Sequence, residues 1–127
     1  KTGCRPDFSI LIYPVVTMKS PYVHLGSRKS LIGEIPSSEM VEYFSNELQV
    51  KADTPPTILI HSDDDSVVLV ENSVNYYLAL RKFKIPAALH IWEDGGHGYG
   101  LAKNEGSVKG WPDICHKWMI QRKLLKH

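Results

Sequence analysis

The apolar positions fall into three short, nearly continuous runs separated by longer stretches of mixed character. Phe8-Ser9-Ile10-Leu11-Ile12-Tyr13, stopped by Pro14, is β-branched, aromatic and hydrophobic at almost every position, as expected of a strand covered on both faces. Thr57-Ile58-Leu59-Ile60-His61, entered through Pro55-Pro56, and Ala87 to Trp92, opened by Pro86, have the same character. Between the last two runs the period changes. Val70, Val74, Tyr77 and Leu78 recur at helical spacing, which predicts an amphipathic helix over 70–84. Trp111, Ile114, Cys115 and Trp118 mark one face of a terminal helix, with Pro112 tolerated in its first turn.

The stretch from Thr17 to Ser38 is punctuated by Pro21, Gly26, Gly33 and Pro36 and predicts a long excursion with at most a turn of helix near Lys29 to Ile32. A short helix is expected over Glu39 to Glu47, with Ser37 or Ser38 as its cap. Alternation of strand and helix argues an α/β fold with a parallel sheet. Three strands are few for a sheet covered on both faces, and the first would expose an edge open to another chain. The pattern therefore predicts half of a sheet, completed by strands upstream or by association, a homodimer through that edge being one form.

Composition narrows the classes. The chain has 127 residues, 43% hydrophobic and 23% charged, which suits one globular domain spanning 1–127. A formal net charge of +1 gives no electrostatic case for a nucleic-acid partner or an anionic membrane. The run from Ile10 to Val16 is broken by Pro14 and falls far short of the roughly 20 residues of a membrane span. Cys4 and Cys115 are expected to be free thiols, and two cysteines so far apart do not fix a compartment. No signal peptide is visible. The chain opens without an initiating Met, so localisation stays open.

Two segments carry chemistry. Trp92-Glu93-Asp94-Gly95-Gly96-His97-Gly98-Tyr99-Gly100 places a histidine on a glycine-rich loop directly after a strand, where a general base for neutral pH would sit. By itself it is equally a loop histidine whose glycines serve only the turn. No G-x-G-x-x-G register fits, and no cofactor is expected. The second segment, His61-Ser62-Asp63-Asp64-Asp65, puts acids at the end of the preceding strand, where a carboxylate can orient an imidazole offered by the next loop. Taken alone it is also a solvated, turn-forming run. Metal binding is not expected. Consecutive side chains at a strand end diverge, and neither an EF-hand loop nor H-E-x-x-H is present.

An acid after one strand and a histidine after the next resemble the α/β-hydrolase superfamily, and more closely its acetyl-esterase and xylan-esterase-like branch. The resemblance rests on four segments in order: Arg5 to Met18, Thr54 to His61, Asp65 through Val70-Glu71-Asn72-Ser73 (similar to D-x-x-V-P-x-x-x-S, with Leu69 where the family has proline), and Gly95-Gly96-His97-Gly98. It implies the C-terminal part of an α/β-hydrolase fold, with three parallel strands and flanking helices. Asp65 would be the acid and His97 the base of a Ser-His-Asp triad, with Asp63 and Asp64 the neighbours most easily mistaken for that acid. Tyr99, Leu101 and Met18 are candidates for the substrate pocket, with core or surface packing as the alternative.

The nucleophile elbow G-x-S-x-G, which precedes acid and histidine in such chains, is absent. Gly26-Ser27 comes nearest, but Arg28-Lys29 follows. The resemblance thus implies a carboxylic-ester hydrolase of which this chain supplies two triad members, inactive alone, acting on small esters or acetylated carbohydrate. A peptidase or dienelactone hydrolase of the same fold, and a non-catalytic binding or assembly module, are the rival expectations.

Overall fold

The computed structural model describes residues 3–103 and 106–125. Its centre is a parallel sheet of β1 (Ser9–Ile12), β2 (Thr57–Ser62) and β3 (Ala87–Trp92), in that spatial order. Ile12 pairs with Ile60 and Ser62 with Trp92, so all three strands end along one margin. β2 is central, and each of its six residues is buried. The pleat sends alternate side chains to opposite faces. Leu59 meets Val50, Leu80 and Ile85 on one face; Ile58 and Ile60 meet Cys115 and Trp118 on the other. Such two-sided burial is why this strand is hydrophobic without alternation.

The covering helices are α3 (Glu71–Lys82) and α4 (Trp111–Gln121). α3 stops two residues before the expected end. Lys84 turns left-handed at φ 58°, while the amides of Lys84 and Ile85 close onto the carbonyls of Arg81 and Leu80. α4 carries Pro112 in its first turn and buries Cys115 and Trp118, as its apolar spacing required.

The excursion differs from expectation. It contains a full eight-residue helix, α1 (Leu25–Ile32), rather than a single turn. His24 caps it, its Nδ1 accepting the Ser27 amide at 3.3 Å, and Gly33 at φ 89° ends it. Only Ile32 of this helix is buried, so no apolar stripe announced it. The helix expected over 39–47 splits into α2 (Ser38–Tyr43), capped by Ser37, and a 3-10 turn at Asn46–Leu48. The break falls at the buried Ser45. Its hydroxyl donates to the Val41 carbonyl and accepts the Met18 amide, and the Asn46 amide donates to Val16. These bonds tie the excursion back to the segment leaving β1.

Candidate active site

The strand ends place three loops side by side: 13–17 after β1, 63–70 after β2 and 93–100 after β3. The Asp63 amide extends the ladder by donating to the Trp92 carbonyl, and the chain then turns so that the Asp65 amide meets the Ser62 carbonyl. Inside this turn Asp65 Oδ1 accepts the amides of Val67 (3.0 Å) and Val68 (2.9 Å). Its other oxygen, Oδ2, lies 2.7 Å from His97 Nδ1. Burial pushes the Asp65 pKa up. The Val68 and Val67 amides and the neighbouring His97 outweigh that and hold it below the usual carboxylate range. Asp65 is therefore an anion at neutral pH with both oxygens engaged.

A carboxylate only accepts, so His97 Nδ1 carries the ring proton and Nε2 presents a lone pair. Among the described residues His97 hydrogen-bonds only to Asp65, and its side chain remains 28% exposed. This is a base with one nitrogen fixed and the other available. Its loop is held by Asp64, whose Oδ1 accepts the Gly96 amide at 2.8 Å. Gly95 is required by space, because a β-carbon there would collide with Ser62 Oγ and Val108. Gly96 and Gly98 take φ of 61° and 82°, values that favour glycine.

The aspartates thus have separate positions: Asp65 against His97, Asp64 on the loop backbone, and Asp63 at the surface. Tyr13 closes the other side, its ring centroid 4.7 Å from His97 and 4.8 Å from Tyr99. Its φ of 38° is costly for a side chain of this size, on the order of 1–3 kcal/mol, and the packing of both rings retains it.

Tyr99 packs into the α4-side core with its hydroxyl buried, and burial lifts its pKa to about 12 against the opposing effect of the Ser62 hydroxyl. Leu101 is exposed. Met18 is buried and lines a hollow of about 390 Å³ with Val15, Leu31 and Asn46; neither Asp65 nor His97 borders it. The structure therefore joins Asp65 and His97 directly, sets Tyr99 beside them through Tyr13, and leaves Met18 apart.

Sequence reasoning missed Asn72, a buried clamp on the first loop. Its Oδ1 accepts the amides of Val16 and Thr17, and its Nδ2 donates to the carbonyls of Tyr22 and Leu69. Its presence in the segment after Asp65 was the only signal. No group of three His, Cys, Asp or Glu able to hold a metal occurs among the described residues, and Cys4 and Cys115 are free.

A parallel sheet that brings an acid from one strand end to a histidine from the next is part of an α/β-hydrolase fold. Residues 10–115 match the model of the prolyl oligopeptidase family, and the chain belongs to that family. It is 45% identical over 107 residues to endo-1,4-beta-xylanase B of Butyrivibrio fibrisolvens, covering 84% of this chain and 16% of that protein. It is 34% identical over 101 residues to an acetylxylan esterase of Xylanibacter ruminicola, covering 76% of this chain and 21% of the relative. The crystal structure of an acetyl ester-xyloside bifunctional hydrolase from Caldicellulosiruptor lactoaceticus superposes with a TM-score of 0.94 at 42% identity, over 97% of this chain and 45% of that one. The chain thus spans about a fifth or less of the curated relatives' length and under half of the solved structure's.

Proposed function

We propose that this chain is the C-terminal part of a single α/β-hydrolase domain and supplies the acid and base of a carboxylic-ester hydrolase that removes acetyl groups from xylan-type carbohydrate. The 2.7 Å contact between Asp65 Oδ2 and His97 Nδ1 carries the reading, because it fixes the tautomer that a general base needs. His97 Nε2 takes the proton of a serine hydroxyl as that oxygen bonds to the ester carbonyl, and Asp65 stabilises the resulting imidazolium. The proton then passes to the alcohol as the carbonyl–alkoxide bond breaks. Water repeats the cycle on the acyl-enzyme. The serine and the oxyanion donors come from outside these residues, since no nucleophile elbow lies within them. The acetyl target is supported by what the similar proteins are called, acetylxylan esterase and acetyl ester-xyloside hydrolase.

The family description favours a second reading, a peptidase on the same acid and base. A hybrid separates the two. In it, this chain replaces the matching 45% of the Caldicellulosiruptor hydrolase, and acetylated xylo-oligosaccharide and a prolyl peptide are offered in parallel. Acetate release without peptide cleavage is expected; the reverse would establish the peptidase. In isolation, the outer edge of β1, unpaired among the described residues, is expected to form a homodimer with a second copy, and a monomer in sedimentation velocity would contradict this.

A further inference from the structure

His61 takes no part in the scheme above, yet it is wholly buried at the end of β2 and every polar atom of its ring has a partner. Nδ1 lies 2.7 Å from Ser73 Oγ on α3. Nε2 lies 2.9 Å from the Val68 carbonyl and 3.2 Å from Asp65 Oδ2. Both neighbours of Nε2 are acceptors, so Nε2 must carry a proton and divide it between them. One ring proton then suffices, with Nδ1 accepting from the Ser73 hydroxyl. The tautomer of His61 is thus written by Val68 and Ser73, and it is opposite to that of His97.

The Asp65 carboxylate consequently meets four donors. The amides of Val67 and Val68 hold Oδ1, while Oδ2 is shared between the imidazoles of His61 and His97. The amides alone leave Oδ2 free to swing about the Oδ1 anchor; a donor from beneath, on a rigid central strand, removes that freedom. On the reading of Asp65 and His97 as triad acid and base, we infer that His61, fixed by Ser73, is a positioning residue that pegs Asp65 Oδ2 and thereby selects the Nδ1–H tautomer of His97. A residue that merely filled the core under α3 would leave the His97 tautomer alone.

Long-range 1H–15N correlation spectra of the full 127-residue chain read both tautomers directly. Wild type should show His61 as Nε2–H and His97 as Nδ1–H. His61→Phe, which keeps the bulk and loses the donor, should lower the Nδ1–H to Nε2–H ratio of His97 about ten-fold, the scale of one hydrogen bond. His61→Gln, whose amide reaches the Nε2 position, should restore most of it. If the phenylalanine variant does not fold, Ser73→Ala carries the test and should lower the ratio about three-fold, a fraction of a hydrogen bond. An unchanged His97 tautomer in the folded His61→Phe or Ser73→Ala chain overturns the inference while leaving the triad reading intact. An unchanged tautomer in Asp65→Ala would instead remove the triad reading itself.

Discussion

The margin of the sheet after β2 and β3 and the excursion between β1 and β2 are built on opposite terms. At the margin, Asp65, His61, Asn72 and Ser73 are all buried polar groups, and each is hydrogen-bonded to named partners across loops. In the excursion, Leu25, Leu31, Ile35, Met40 and Tyr43 are large apolar side chains left exposed, Ile35 at 96%. Ordinary stability would favour the reverse, since buried polar groups must be matched and exposed apolar ones contribute little. Asp65, His61 and Ser73 are fixed as a unit because each depends on the next for a partner, whereas the excursion is joined to the sheet mainly through Ser45, Asn46 and the contacts of Asn72.

Breaking the margin should cost most. Asp65→Ala leaves two amides and the His97 imidazole without their acceptor, and His61 with the Val68 carbonyl in place of a shared pair, a loss of about 3 kcal/mol or more in denaturant unfolding. The pH dependence carries a sign. The Asp65 pKa is depressed in the folded chain, so its stabilisation is present above the unfolded value of about 3.9 and is lost as pH falls from there through the native value. Stability should therefore fall on acidification more steeply in wild type than in Asp65→Asn, and the gap between the two should narrow below about pH 4.

Asn72→Ala tests the link between the regions. It strands the amides of Val16 and Thr17 and the carbonyl of Tyr22, at a cost of about 2 kcal/mol, and hydrogen exchange at Thr17 should quicken more than at Leu59. The smallest effect belongs to the excursion. Ile35→Ser should move stability by less than about 0.5 kcal/mol, and a larger loss by thermal melting would show that this residue is covered.

How much was legible follows the same division. β3 runs from Ala87 to Trp92 as expected, and the apolar runs of β1 and β2 were each recognisable to within a residue or two, because two-sided burial writes itself as continuous hydrophobicity. The acid run at 63–65 and His97 were legible as residues that follow strands, where parallel sheets gather function, and only the family resemblance singled out Asp65. α1 was not legible, because its apolar residues are mostly exposed and its cap is a histidine rather than Ser, Thr, Asp or Asn. The break at Ser45 was hidden because its cause, the Met18 amide, lies 27 residues away in sequence. His61 and Asn72 were hidden for the same reason: their hydrogen-bond partners are groups that only the folded chain brings near.

The central claim is that His97 acts as base with Asp65 behind it and a nucleophile from outside these residues. Turnover of p-nitrophenyl acetate tests it most directly, measured for the hybrid with the Caldicellulosiruptor hydrolase, for its His97→Ala variant, and for this chain alone as the blank. The account predicts an active hybrid, a loss of about 10³-fold or more in kcat on removing His97, and no turnover by the chain alone above its own His97→Ala variant. An equally active His97→Ala hybrid, or turnover by the isolated chain that depends on His97, would contradict it.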